Sequence, residues 1–529
     1  MKKGLWFLFL LVILWGCRKE PISWEIDTLF PILHTRITLQ QAAPSDMLGV
    51  INGNELQLEY QGNLIKLAID SSLSFPDTSI ADTFNLPFGN ITFQPGQTFL
   101  EDSNYTRYDF GNAKLTQLNI LSGQMTIRIS SELQGPSVLE YSLPTITKNG
   151  IALFIKENVA ASTGGNPTIL SKVIDLSGYE ISLTGLQNNA YNIIASKYQA
   201  YIDSASIPVP ISSGQRFIAT NSLSNIEPAY LRGSFGNATS RIKENKQETD
   251  LFNNLAGGNL SLAQSTLVFE IKNDIGADIT VNTNSITGQN TRNNTATGLT
   301  GPLSNGPINS NRATELNGIF SSPIASTYSV ELNNQNSNVT EFISNLPDQL
   351  SYDFDISFNP LGNVSGSNDF LYGNTGMEIN LDAKIPLNFN ANNLIFIDTT
   401  DFDIDTSTQE QSSRIMAGFL NIYTRNWFPF DLELQFYLLD ANLNKIDSVF
   451  ETAQTVYGGN PIFGIVDDPT LSKLQAPLST LKIQHLYQTK SIQTRIKVNS
   501  TDTGNIRILE SYFIDTKIVG DFNYQVEIE

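Results

Sequence analysis

The stretch Gly376-Met377-Glu378-Ile379-Asn380-Leu381-Asp382-Ala383-Lys384-Ile385-Pro386-Leu387-Asn388-Phe389 decides the fold class. Met377, Ile379, Leu381, Ala383, Ile385, Leu387 and Phe389 occupy every second position, opposite Glu378, Asn380, Asp382 and Lys384. Only a strand, with its period of two, puts those apolar side chains on one face. As a single strand the run would be about 43 Å long, beyond the usual range. Pro386 has no amide to donate, so the strand breaks there or lies on an edge. Tyr352, Phe354, Ile356 and Phe358 alternate in the same way, as do Phe430, Leu432, Leu434, Phe436 and Leu438. Asp440-Ala441-Asn442-Leu443-Asn444 reads as a turn into a further strand. One apolar face per strand implies antiparallel sheets covered on one side. The expected fold is all-β, built of tandem antiparallel β-sandwiches.

Two short boxes recur and suggest three divergent repeats. The first is Gly53-Asn54-Glu55-Leu56-Gln57-Leu58, Gly178-Tyr179-Glu180-Ile181-Ser182-Leu183 and Gly376-Met377-Glu378-Ile379-Asn380-Leu381. The second aligns Ser122-Gly123-Gln124-Met125-Thr126-Ile127 with Ala417-Gly418-Phe419-Leu420-Asn421-Ile422. Downstream, Lys272-Asn273-Asp274-Ile275 matches Arg425-Asn426-Trp427-Phe428, and Ser130-Ser131-Glu132-Leu133 is the weakest member. Composition places the units at 18–150, 151–325 and 326–529, after a leader at 1–17. Gln289 to Arg312 is rich in Asn, Thr and Gly and is expected to be a linker or mobile loop. Leu471, Leu474, Leu478 and Leu481 have helical spacing, but Pro477 interrupts it, so a connector over a sheet end is expected.

The 529 residues contain 32 Lys plus Arg against 52 Asp plus Glu, a net charge of −20. Such a field repels phosphate backbones and argues against nucleic acid as a partner. Charged residues are only 16% of the chain, below the ~25% of an ordinary soluble domain. Asn, Ser, Thr and Gln must therefore do much of the wetting.

The one cysteine, Cys17, closes the segment MKKGLWFLFLLVILWGC. Lys2 and Lys3 precede an apolar run from Leu5 to Trp15, too short for the ~20 residues of a membrane span, and Gly16 stands directly before the thiol. This arrangement resembles a bacterial lipoprotein signal with its lipobox, Leu14 and Gly16 matching the pattern and Trp15 departing from it. The resemblance implies cleavage before Cys17 and acylation of that residue, hence attachment to a membrane through an N-terminal lipid. With Cys17 acylated no thiol remains for disulfides, zinc or nucleophilic chemistry. Together with the Asn/Thr-rich, acidic β composition, the signal resembles those of the large envelope and surface lipoproteins of the Bacteroidota. That implies an outer-membrane location, on the periplasmic face or the cell surface.

Chemistry is sparse. Neither His34 nor His485 lies near a nucleophile elbow, and neither His-Glu-x-x-His nor a phosphate-binding glycine loop occurs. His485 sits among Leu481, Ile483 and Tyr487 and is expected in a half-buried strand. Asp401, Asp403 and Asp405 are the metal candidates, for calcium, if the chain turns at Thr399-Thr400 so that their oxygens converge. Thr406 stands where an EF-hand needs glycine, and the alternation of Phe402 with Ile404 favours a strand, so no tight site is expected. Trp427 is the candidate contact for a glycan or protein partner; packing against Phe428 and Phe430 is its plainer explanation. The function expected is that of a lipid-anchored, non-enzymatic envelope protein, without cofactor, binding a partner protein or polymer through sandwich-end loops. A carboxylate-dependent polysaccharide hydrolase and a purely structural component are the alternatives.

Overall fold

A computed structural model describes residues 22–38, 47–68, 77–85, 90–249, 251–252, 255–373, 375–402, 415–459, 465–500 and 505–528. Strand pairing within them is antiparallel throughout the named strands, and the alternating runs quoted above are strands. The chain is an all-β protein with tandem sandwiches.

One six-strand order occurs three times. In unit 1 (98–234) the strands are Thr98–Arg107, Lys114–Ser131, Ser137–Lys148, Thr168–Asp175, Ile193–Ile202 and Arg216–Ser234. In unit 2 (238–386) they are Ala238–Glu248, Thr266–Asn273, Ile279–Asn290, Ser326–Leu332, Gln349–Phe358 and Gly376–Pro386. In unit 3 (388–528) they are Asn388–Asp401, Ile415–Asn426, Leu432–Leu439, Thr470–Leu478, Ser491–Val498 and Phe513–Ile528. Each fifth strand lies between the first and third, and each second strand between the fourth and sixth. The two sheets of a unit bury their apolar faces together, as Ile37 and Ile514 do against Phe396, Leu432 and Ile496 in unit 3. In unit 1 the short strand Glu180–Ser182 bonds both sheets and fuses them.

A seventh strand comes from the N-terminal segment, in reverse order along the chain. Ile22–Thr38 pairs with the last strand of unit 3, Glu55–Ala68 with that of unit 2, and Thr78–Asn85 with that of unit 1. Three strands from the described residues between 22 and 85 thus extend all three sandwiches in turn.

This pairing moves the expected boundaries. The 18–150 segment is shared among all three units, because its strands find their partners in later parts of the chain. Position 150 falls inside a hairpin: Asn149 and Gly150, at φ of 53° and 77°, form the turn from Ser137–Lys148 to Ile151–Val159, the left-handed pair that tight hairpins require. Position 325 is bridged by Thr266–Asn273 pairing with Ser326–Leu332.

Two further expectations are corrected. Gln289 to Arg312 belongs to a sheet, ordered by its own polar side chains: Asn290 Nδ2 donates to the Asn345 carbonyl at 2.8 Å, and Arg292 donates to the carbonyls of Phe252 and Leu346, both at 2.8 Å. Leu471 to Leu478 is an edge strand, which tolerates Pro477, and the helix begins only at Thr480, capped by Ser479 Oγ accepting from the Lys482 amide.

Strand pairing also joins neighbouring units. Asp369–Tyr372 pairs with the last strand of unit 1, and Leu255–Leu262 with the first strand of unit 3. At the first junction Arg232 meets Glu315 at 2.8 Å, and the Tyr230 hydroxyl donates to Glu315 at 2.9 Å. Burial pushes the Tyr230 hydroxyl up to about 12, so it remains a donor across the whole physiological range.

Candidate functional site

The box that aligned Lys272-Asn273 with Arg425-Asn426 closes each sandwich in the same way. Asn273 and Asn426 end their strands fully buried. Asn273 Oδ1 accepts from the Ile275 amide at 3.0 Å, and its Nδ2 donates to the carbonyls of Ala277 and Asn311 at 3.0 and 2.9 Å. Asn426 does the same with the Phe428 amide at 2.9 Å and the carbonyls of Phe430 and Tyr457, both at 3.1 Å. Five residues on, Asp278 accepts from the Arg312 amide at 3.0 Å and Asp431 from the Gly458 amide at 2.8 Å. In unit 1 the buried Ser131 retains one of these bonds, accepting from the Leu133 amide at 3.3 Å, and Pro136 stands where the aspartate would be. A buried amide that satisfies three backbone groups fixes the path of two loop segments at a sandwich end.

The residue after this closure is where Trp427 stands. Its ring is half-buried, 5.5 Å from Phe513, and its amide donates to the Phe513 carbonyl at 3.0 Å. Phe428 stacks instead on Phe430, at 5.3 Å.

The carboxylate candidates are not gathered. Asn388–Asp401 is one continuous strand, so the chain does not turn at Thr399-Thr400, and Asp401 is exposed at its end. Asp403 and Asp405 lie outside the described residues, as does Cys17. Among the described residues no three His, Cys, Asp or Glu side chains cluster closely enough to hold a metal ion.

Each histidine has a carboxylate partner. His34, exposed on the first strand, is 2.8 Å from Asp515. His485 is helical rather than in a strand: it lies in the last turn of Thr480–Gln488, with Nδ1 2.8 Å from Asp447. Burial raises the Asp447 carboxyl, but the His485 hydrogen bond and the Ser448 amide outweigh it and leave it lowered.

A cleft with room for a ligand lies at one end of unit 2 and has a volume of about 370 Å³, within the usual range for ligand sites. Gly258 and Asn259 contribute one wall from a strand, Asn293 and Thr295 a second from a hairpin turn, and Ser344 and Asn345 a third from a helix end. Gly258 has φ +98°, and a Cβ there would lie 2.1 Å from the Asn393 carbonyl, so only glycine lets the strands approach so closely. Thr295 donates to Asn345 Oδ1 at 2.7 Å and Asn345 Nδ2 to the Gly288 carbonyl at 3.1 Å, which hold that wall in place. Asn259 and Asn293 are exposed at the rim. All six lining residues are uncharged; the four side chains of Asn and Ser types and Thr295 offer donors and acceptors alike. Sequence pattern could not reveal this site, because its walls come from segments about 35 and 50 residues apart. Two apolar voids of about 50 Å³, in unit 3 and between units 2 and 3, are too small for such a role.

No family model matches the chain, and no curated protein does. Among solved structures, a protein from Parabacteroides distasonis thought to be secreted aligns at 13% identity over 55% of this chain and 89% of its own, with a TM-score of 0.27. The VP2 subviral particle of infectious bursal disease virus aligns at 10% identity over 86% of this chain and 81% of its own, with a TM-score of 0.11. Likeness at that level carries no argument. Among the described residues no helix is long and apolar enough to cross a membrane.

Proposed function

We propose that this is a lipid-anchored, non-enzymatic protein of the bacterial envelope, acylated at Cys17, which binds a neutral, hydroxyl-rich polymer in the unit 2 cleft. The observation that carries the binding role is the lining of that cleft. Neutral amides and hydroxyls recognise sugar hydroxyls in both donor and acceptor senses, and they supply no acid and base pair for hydrolysis. Attachment at Cys17 would leave only five residues before Ile22, the register partner of Ile528. The lipid would then lie at most about 17 Å from the edge of unit 3, with units 2 and 1 progressively farther along the chain of sandwiches.

Titration of the purified protein with neutral glucans, mannans and xylans tests the binding role. Saturable binding that falls at least tenfold in the rim variant Asn259→Ala/Asn293→Ala, at unchanged melting temperature, supports it. Binding by none of these polymers, or release of reducing sugar from any of them, contradicts it. Anchoring is tested separately: Cys17→Ser should move the protein out of the membrane fraction and abolish labelling by a palmitate analogue.

A further inference from the structure

The sheet made of each unit's fourth, second and sixth strands and its N-terminal strand has one face in the core and one in solvent. Because the three sheets are equivalent, their outer faces can be compared position by position. In unit 1 the outward residues include Thr126, Arg128 and Ser130 beside Ile169, Ser171, Val173, Ile218, Thr220 and Ser222, a mix of hydroxyls and apolar side chains in which Arg128 is the charge. In unit 2, Glu59, Glu270, Glu331, Glu378 and Asp382 face out with Lys66, Lys272 and Lys384, so carboxylates predominate. Burial and the neighbouring Glu270 charge hold the Asp382 carboxyl above its usual range.

Unit 3 reverses the sign. Two adjacent rows run across its four strands: His34, Lys517, Tyr423 and Lys473, then Arg36, Asp515, Arg425 and Leu471. Four permanent cations share this belt with one carboxylate, and Asp515 already accepts the bond from His34. Among the described residues none of the four is in a salt bridge with a carboxylate. Two of them lie against aromatic rings instead: Arg36 is 4.1 Å from the Phe513 ring centre, and Lys473 is 5.5 Å from that of Tyr423. Trp427 continues the surface beyond Phe513. Strands are ~4.8 Å apart, so the cations span about 14 Å across the sheet.

We propose that this belt on unit 3 binds an anionic polysaccharide, separately from the unit 2 cleft. In a protein of net charge −20, four cations without carboxylate partners gathered on one open face make a surface complementary to negative charge. The exposed Tyr423 ring and the half-buried Phe513 ring between the cations add apolar faces on which sugar rings can lie. A membrane surface fits less well. The belt begins twelve residues beyond Ile22, about 40 Å along the strand, and Asp27 and Asp521 lie on the intervening part of the same face.

The test uses the purified protein carrying Trp24→Phe, so that Trp427 is the mature chain's reporter. Titration with polygalacturonate or dextran sulfate should change its emission saturably, and affinity should drop at least tenfold between 50 and 300 mM salt. Neutral dextran should give no such change. Arg425→Glu/Lys473→Glu should weaken polyanion binding at least tenfold, and the milder Arg36→Gln/Lys517→Gln should weaken it in the same direction. Lys66→Glu/Lys272→Glu on unit 2 and the cleft variant Asn259→Ala/Asn293→Ala should leave it unchanged, which separates failure here from failure of the cleft. The proposal is overturned by an absence of polyanion binding or by binding undiminished in both belt variants. Binding only to phosphatidylglycerol vesicles, or self-association in the ultracentrifuge abolished by the belt variants, would also overturn it in favour of a membrane or a second copy.

Discussion

Units 1 and 3 place different chemistry at one position of one fold. After the buried strand end at Ser131, Glu132 pairs with Arg216 at 2.6 Å, and that contact lowers the Glu132 carboxyl despite an opposing effect of burial. After the equivalent Asn426, Trp427 lies on Phe513. In both units the amide of the first residue donates to the carbonyl of the second, at 3.1 and 3.0 Å. The backbone bond is what the two units share. The side chains above it are free to diverge, to an ion pair in one and to an aromatic edge beside a cationic belt in the other. In this molecule the closure carries the fold, and the sheet faces and cleft carry what differs between units.

The largest effect should come from removing the strand that completes unit 3. Deletion of residues 22–38 leaves Phe513–Ile528 as an unpaired edge, so limited proteolysis should cut within unit 3 first while unit 1 fragments persist. Equal lability of both would show that the units do not stand apart energetically.

Next are the closures themselves. Asn273→Ala and Asn426→Ala each orphan three backbone groups and should cost about 2–4 kcal/mol in denaturant midpoint analysis. Ser131→Ala loses one long bond and should cost about 1 kcal/mol or less. Equal costs in all three would mean that Ser131 closes unit 1 as firmly as the asparagines close theirs, against the number of bonds each makes.

Smaller effects are pH-dependent. Arg241 grips Asp353 with two hydrogen bonds of 2.9 and 2.6 Å, and this holds the Asp353 carboxyl down to about 2. A depressed carboxyl stabilises the fold above its unfolded value of ~3.9 and loses that contribution as pH falls toward 2. Arg241→Ala should therefore melt below the parent at pH 6, with the gap closing by pH 2. Asp382 behaves oppositely: its carboxyl is raised, so its ionisation opposes folding as pH rises. Asp382→Asn should raise the melting temperature slightly at pH 7 and leave it unchanged at pH 3.

The fold class is legible in the sequence because period-two alternation is local, and Met377 to Phe389 displays it without knowledge of any partner. The Lys272/Arg425 match was also legible, since one asparagine at a strand end makes all its bonds nearby or to one returning loop. Which strand pairs with which was not. Glu55–Ala68 finds Gly376–Pro386 more than 300 residues away, and nothing in either segment names the other. The Gln289 to Arg312 tract misled because low hydrophobicity suggests disorder, yet its side chains bond buried carbonyls rather than water. Of the site candidates, Trp427 alone falls beside a surface with a proposed role, while the cleft's residues carry no local signature.

Disulfide trapping in a Cys17→Ser background tests the central claim most directly, that one N-terminal segment completes all three sandwiches in reverse order. Leu29→Cys/Asp521→Cys, Asn63→Cys/Asn380→Cys and Thr83→Cys/Ile218→Cys are register partners in units 3, 2 and 1, and the Asn63 and Asn380 side chains already meet at 2.8 Å. Each pair should oxidise to an intramolecular crosslink in the folded protein, while the exchanged pair Leu29→Cys/Ile218→Cys should stay reduced. Crosslinking of the exchanged pair, or failure of the three register pairs in folded protein, would contradict the threading and with it the equivalence of the units.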